Sequence, residues 1–149
     1  MIPAGALVLL DTDVLLRLVR EDATGRHITS TYKLLERPDR PLLSIVSVGE
    51  ILTFPRRREW GTAKVEILNS LLRELVIVPV SGHAIADQFA QITAFCQGKG
   101  RTLSDNDRWI AATACNTKAV LLTTDPDFDV LDPTFVQLVR VQLPAGPHT

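Results

Sequence analysis

Four carboxylates of this sequence stand where an apolar segment ends or where a predicted helix begins: Asp11, Glu50, Asp107 and Asp125. In a fold that alternates strands and helices, such positions gather along one edge of the sheet. Acids held together repel one another and cost stability unless a cation neutralises them. Because the neighbouring residues include no histidine or cysteine, these oxygen ligands suit Mg²⁺ or Mn²⁺ better than zinc. The residues therefore predict a divalent metal site, without identifying a reaction.

Each acid also has a local structural explanation. Asp11 or Asp13 could cap the helix that follows, and Asp125 precedes a proline, as an N-cap often does. The segments 47–50 and 104–107 both fit a capping box. Independent caps need not share one edge of a sheet, whereas a metal site requires acids with short polar neighbours. Such neighbours are present at Thr12, Asp13, Ser47, Asn106, Thr123 and Thr124.

The elements that must position these acids alternate along the chain. Strands are predicted at 7–10, 41–47, 76–80, 119–124 and 135–143. Helices are predicted at 14–20, 28–37, near 48–54, at 62–75, over the face Ile85–Cys96, and at 107–117. This order predicts an α/β fold with a mostly parallel sheet covered on both faces. We expect a single domain over residues 1–143 and a short tail at 144–149.

Composition excludes several classes of protein. The chain has 149 residues, of which 46% are hydrophobic, and no apolar run long enough to cross a bilayer. Its opening stretch lacks a basic region and is predicted to be the first strand, not a signal peptide. The net charge is −1, so without the four acids it would be −1 + 4 = +3. This permits a phosphate-bearing substrate but disfavours a strongly basic nucleic-acid binder. Two isolated cysteines, Cys96 and Cys115, are typical of free thiols in a cytoplasmic protein.

Four segments in a fixed order carry a family resemblance: LVLLDTDVLLRLV (7–19), SIVSVGEIL (44–52), SDNDRWIAATA (104–114) and LLTTDPDFDVL (121–131). Together they resemble the PIN-domain ribonucleases, and in particular the VapC-type toxins of prokaryotic toxin–antitoxin pairs. The third segment is the most specific, and the order holds from about residue 7 to residue 131. One departure is Asp13, which stands where asparagine is more usual in the family. The resemblance implies a PIN-like α/β/α sandwich.

The resemblance also implies an activity and a set of residues. The expected activity is Mg²⁺-dependent endonucleolytic cleavage of RNA, with Mn²⁺ able to substitute. Asp11, Glu50 and Asp107 would hold the metal, and Asp125 would complete the catalytic site, with Asp127 as its alternate. Thr12, Asp13 and Thr124 would support these acids. A homodimer, and a small antitoxin protein as partner, are further expectations drawn from the family.

RNA binding requires positive charge in addition to metal. Arg56, Arg57 and Arg58 form the densest basic run, and Lys99 and Arg101 precede the third motif. These five side chains are candidate RNA contacts, although such a run is also typical of a solvated surface.

Two other functions compete with the nuclease. The pair Asp11 and Asp13 fits the opening Asp-x-Asp of haloacid-dehalogenase-like phosphatases, in which the first aspartate is a nucleophile. That assignment leaves Glu50 and Asp107 without a role, and Leu15 stands where such phosphatases have threonine or valine. A non-catalytic binding module of the same fold is the third alternative.

Overall fold

The computed structural model describes residues 1–143, so the predicted tail at 144–149 lies outside the described residues. Within them, five strands form one sheet in the order β3-β2-β1-β4-β5, and every strand pair is parallel. The strands are β1 Val8–Leu10, β2 Leu42–Ser44, β3 Val76–Val78, β4 Val120–Thr123 and β5 Gln137–Arg140. The helices are α1 Thr12–Arg20, α2 Ala23–Tyr32, α3 Ile45–Ile51, α4 Thr53–Arg57, α5 Thr62–Glu74, α6 His83–Gly98 and α7 Asp105–Thr117. Short 3₁₀ helices cover Leu34–Glu36 and Pro126–Leu131.

Side chains alternate between the two faces of the sheet and divide the core into two layers. On one face, Leu10 and its neighbours pack with residues of α1, α2 and α5. On the other face, Leu9 packs with residues of α6 and α7. The three central strands are buried along their whole length, as expected when helices cover both faces. The predicted α/β/α sandwich with a parallel sheet is therefore confirmed.

The segment after α1 folds differently from its prediction. A helix was predicted at 28–37, but α2 covers Ala23–Tyr32. Asp22 caps it, because its carboxylate accepts a hydrogen bond from the Gly25 amide. Lys33 then takes a left-handed conformation that ends the helix before a 3₁₀ turn. The prediction followed the position of Pro38 and missed the capping aspartate.

The capping box predicted at residues 47–50 is wrong. Helix α3 begins at Ile45, and Ser44 caps it by accepting a hydrogen bond from the Val46 amide. Ser47 is therefore inside the helix and buried, and Glu50 lies in its last turn. Glu50 cannot reach back to a free amide at the helix start, so the local explanation for this acid fails.

The remaining boundaries agree with expectation to within a few residues. Helix α7 begins at Asp105, and Ser104 caps it by accepting from the Asp107 amide. Asp125 caps the 3₁₀ helix that Pro126 opens. None of the helices described within residues 1–143 is both long and apolar enough to cross a bilayer. Since β1, β2 and β4 are parallel, the residues that follow them lie at one edge of the sheet.

Candidate active site

Asp11 is the deepest acid of this edge. It follows β1 directly, caps α1 and is only 6% exposed. Its Oδ1 accepts from the Thr12 amide at 2.8 Å, and its Oδ2 accepts from the Thr123 hydroxyl at 2.7 Å. Burial raises the pKa of this carboxyl to about 6, and the charges of Asp107 and Asp13 add to the rise, while the two hydrogen bonds oppose it. Capping and proximity to other acids are thus both properties of Asp11.

Glu50 reaches the same edge from α3. Its Oε1 accepts from the Thr12 hydroxyl at 2.7 Å, and the Thr12 oxygen lies 2.8 Å from Ser47 Oγ. Because a carboxylate can only accept, the hydroxyl of Ser47 donates to Thr12 and that of Thr12 donates to Glu50. This chain of hydroxyls ties α1 to α3 and fixes the direction of the Glu50 side chain.

Asp107 comes to the edge from the third position of α7, and it is half-buried. Burial raises the pKa of its carboxyl, and the charges of Asp125, Glu50 and Asp127 raise it further, against the hydrogen bond with Ser104. A pKa raised by neighbouring carboxylates is the electrostatic sign of clustered acids. The structure therefore brings Asp107 near acids from three other parts of the chain, since its charge also acts on Asp11.

Asp125 and Asp127 were alternates for one role, and the structure places them differently. Asp125 is half-buried and follows β4, and its amide donates to the Thr123 hydroxyl at 3.0 Å. Thr123 therefore connects Asp125 to Asp11. Asp127 is exposed, with its amide donating to Asp125 Oδ1 at 2.9 Å. Of the two, Asp125 lines the cleft between the acids.

Asp13 also lines this cleft but has two other partners. Its Oδ2 accepts from the Thr124 hydroxyl at 2.6 Å and lies 3.4 Å from Arg17 Nε. Arg17 bonds Asp22 as well, at 3.2 Å, and these carboxylates raise the pKa of the guanidinium. Asp13 is thus partly neutralised by Arg17, unlike Asp11.

The acids surround an open cleft of about 400 Å³, which we call the acidic cleft. It is lined by Asp11, Thr12, Asp13, Leu16, Glu50, Phe54, Asp107, Thr124 and Asp125. No three His, Cys, Asp or Glu side chains within residues 1–143 already stand close enough to hold one ion together. Mg²⁺ commonly binds through one or two carboxylates and keeps several waters, so an open, all-oxygen cleft fits it better than a closed cage would.

The five predicted basic residues do not all lie near the acids. Arg57 and Arg58 line a second cleft of about 300 Å³, together with Glu50, Thr53 and Phe54. Arg56 is exposed beside them but does not line it. Lys99 and Arg101 are exposed in the connection before α7 and line neither cleft.

Sequence reasoning missed two lining residues, Leu16 and Phe54, and the partner Arg17. An apolar residue gives no chemical signal, so Leu16 was not distinguishable from core. Phe54 had a usable signal, because it follows Glu50 by four residues, the spacing that places two side chains on one helical face.

A larger apolar groove lies on the face of α1, α2 and α5. It measures about 530 Å³, and its floor includes Leu15, Leu18, Ile67 and Leu71, which come from α1 and α5. Charged residues of both signs stand among its walls, including Glu21 and Lys33. The groove and the acidic cleft share no lining residue.

Comparison with known proteins gives a consistent family. The family model described as PIN domain matches residues 8–132. Ribonuclease VapC5 of Mycobacterium tuberculosis is 28% identical over 107 residues, which are 70% of this chain and 78% of that protein.

Solved structures agree in fold. VapBC-5 of M. tuberculosis, a member of the VapBC family of toxin–antitoxin systems, superposes with a TM-score of 0.67 at 26% identity, covering 92% of this chain and 100% of that chain. VapBC2 from Rickettsia felis, solved with a DNA fragment from its promoter, gives a TM-score of 0.77 at 16% identity, covering 91% and 99%. The second likeness concerns the fold alone.

Proposed function

Because the chain belongs to the PIN domain family, we propose that it is a metal-dependent endoribonuclease and the toxin of a toxin–antitoxin pair. The observation that carries the proposal is the acidic cleft, where carboxylates from four separate segments face one opening. The relative named as a ribonuclease supports RNA as substrate, and the VapBC likeness supports an antitoxin partner. The family match favours the nuclease over the phosphatase alternative.

Asp11, Glu50, Asp107 and Asp125 would hold Mg²⁺, or Mn²⁺ in its place, one or two of them directly and the others through waters that the ion keeps. When bound, the ion supplies positive charge that offsets the charge developing on phosphate oxygens, and it makes water more acidic. The exposure of Asp125 to the cleft supports it, and not Asp127, as the fourth acid. The Asp125 amide donates a hydrogen bond to the Thr123 hydroxyl, and that hydroxyl donates one to Asp11. Thr123 therefore holds these two acids in a fixed relation.

The other residues of the site would orient the acids. Thr12 directs Glu50, and Thr123 directs Asp11. Thr124 and Arg17 hold Asp13 to one side, so Asp13 adds negative charge without being free to turn. Leu16 and Phe54 give the cleft an apolar wall that limits the water around the acids.

The proposed toxin would bind an antitoxin and form a homodimer. The apolar groove of α1, α2 and α5 offers a surface for an amphipathic segment of an antitoxin. We also propose a homodimer, which light scattering of the purified protein would test. Both described cysteines are free thiols, in line with a cytoplasmic location.

The test is Mn²⁺ binding by calorimetry, together with cleavage of a labelled single-stranded RNA. We expect Asp107→Asn to abolish both, while Asp105→Asn, an exposed acid of the same helix turn, leaves both in place. Asp13→Asn should retain metal binding. Loss of binding in Asp13→Asn with retention in Asp107→Asn would instead favour the phosphatase. A folded wild type that binds no Mn²⁺ would contradict the enzyme and favour a binding module.

A further inference from the structure

A basic cleft adjoins the acidic cleft. We use that name for the opening lined by Glu50, Thr53, Phe54, Arg57 and Arg58. It shares Glu50 and Phe54 with the acidic cleft, so the two openings are continuous around these side chains. A strand lying across the acids would therefore pass next to Arg57 and Arg58.

The arginines of the basic cleft have no acceptor within residues 1–143. Some other arginines are engaged: Arg17 with Asp13 and Asp22, Arg140 with Asp129, and Arg37 with backbone carbonyls. Arg57 and Arg58 make no such hydrogen bond or ion pair, even though Glu50 lines the same opening. Glu50 bonds Thr12 instead. The two guanidinium groups thus keep all their donors available for a ligand.

An aromatic ring gives one of these arginines a defined position. The guanidinium of Arg58 lies 5.5 Å from the centroid of the Phe54 ring, and that of Arg20 lies 6.0 Å from the same centroid. Attraction of a cation to the ring face restrains an otherwise mobile side chain. Because Arg58 is already restrained, it would lose less conformational entropy on binding a ligand.

Electrostatics decide what that ligand is. The acidic cleft repels a polyanion, so a phosphate chain needs compensating charge close by. Arginine presents a planar set of donors that matches phosphate oxygens. We propose that Arg57 and Arg58, the latter restrained by Phe54, bind the RNA phosphate adjacent to the one that lies over the acidic cleft. This inference rests on the proposed function and adds the residues that position its substrate.

The test measures binding without cleavage. Fluorescence anisotropy of a labelled single-stranded RNA of mixed sequence is recorded over a salt series, with every variant placed in an Asp107→Asn background. We expect Arg57→Ala with Arg58→Ala to weaken binding on the order of 10-fold and to reduce the slope of log affinity against log salt by about 0.7, the value for one neutralised phosphate on a single strand. The RNA affinity of Arg58→Lys should fall between those of the parent and the double alanine variant, because lysine keeps the charge but lacks the planar set of donors.

Arg40→Ala is the matched control. Arg40 is exposed and precedes β2, so it lies at the opposite edge of the sheet from the acids. The Arg40→Ala substitution should leave both the RNA affinity and its salt slope unchanged. Circular dichroism establishes that each variant is folded, and the salt slope separates lost phosphate contacts from a general structural effect.

The outcomes distinguish this inference from the function on which it rests. A wild type that neither binds Mn²⁺ nor cleaves RNA contradicts the proposed function, whatever the arginine variants do. A wild type that cleaves, with Arg57 and Arg58 variants that bind RNA as the Arg40→Ala control does, overturns only the arginine site.

Discussion

Threonine hydroxyls hold the acids of the acidic cleft in place. Thr12 bonds Glu50, Thr123 bonds Asp11 and Thr124 bonds Asp13. A hydrogen bond to a carboxylate favours its charged form, so these hydroxyls offset part of the cost of crowding acids together. For Asp11, the capping role and the proposed metal role therefore do not exclude each other, because one carboxylate has lone pairs for both.

Asp11 should make the metal-free protein less stable as pH rises. Its pKa is about 6 in the folded protein against 3.8 for the unperturbed group, so the folded state binds this proton more tightly than the unfolded chain. Stability from this group is full below about pH 4 and is lost as pH rises through about 6, by up to about 3 kcal/mol. We expect Asp11→Asn to remove that loss.

Urea unfolding in the presence of a chelator measures this difference. The free energy of unfolding of Asp11→Asn minus that of wild type should grow from about pH 4 to about pH 7. Carboxylates that do not interact with Asp11 titrate alike in both proteins and cancel in the difference. A difference that does not change with pH would show that Asp11 ionises as it does in the unfolded chain.

The Thr12 hydroxyl should matter for metal binding more than for folding. In Thr12→Val the shape is kept, but Glu50 loses the donor at 2.7 Å that directs it. Loss of such an orienting partner commonly lowers metal affinity by about 10-fold or more. Calorimetry with Mn²⁺ measures the loss, and Thr12→Ser, which keeps the hydroxyl, should bind as wild type does. Equal binding by Thr12→Val and Thr12→Ser would leave the hydroxyl without a role in the site.

At the scale of elements, the sequence predicted what depends on hydrophobic pattern. All five strands were predicted, and their parallel order led to the acids at one edge. Errors fell where a single polar residue decides a helix boundary. Asp22 starts α2 five residues before the predicted helix, and Ser44, not Ser47, caps α3. Several serines and aspartates near a boundary can each serve as a cap, and sequence alone does not choose among them.

The acids of the site were predicted from the sequence more completely than its basic and aromatic residues. Acids carry a chemical signal and stand after strands or at a helix start, and all four predicted acids line one cleft. The basic residues carry only charge, and Lys99 and Arg101 line neither cleft. The contact of Phe54 with Arg58 matches a four-residue spacing, but its contact with Arg20 is three-dimensional and no spacing reveals it.

Helices α1 and α2 approach each other closely at a glycine, Gly25. A Cβ added at Gly25 would lie 2.1 Å from the backbone carbonyl oxygen of Arg17. Because both partners belong to packed helices, Gly25→Ala should force the helices apart and lower the free energy of unfolding by about 1–3 kcal/mol. Chemical denaturation measures this change.

Gly49→Ala is the matched control for that substitution. Gly49 also lies inside a helix, but an added Cβ would meet nothing within 4 Å. Alanine is the better helix former, so this variant should be more stable than wild type by about 0.5–1 kcal/mol. Effects of the same sign in both variants would contradict the close approach at Gly25.

In the whole molecule, folding and the proposed metal site place opposing demands on one edge of the sheet. The fold brings Asp11 and Asp107 out of water and near other acids, which raises the pKa of both carboxyls. A cation would reverse this effect, because opposite charge favours the ionised form. The cluster should therefore lower stability in the metal-free protein and raise it in the metal-bound one.

This reversal leads to a test on the whole protein, its thermal unfolding with and without Mn²⁺. A ligand that binds only the folded state adds about 2.7 kcal/mol when present at about 100 times its Kd, so Mn²⁺ should raise Tm. Protons compete for the same carboxyls, and the raised pKa of Asp11, about 6, means that they compete well near about pH 5. The rise in Tm should accordingly be smaller at about pH 5 than at about pH 7.5, absent in Asp107→Asn and intact in Asp105→Asn. A rise that is equal at both pH values, or that survives in Asp107→Asn, would mean that the ion binds away from the acidic cleft.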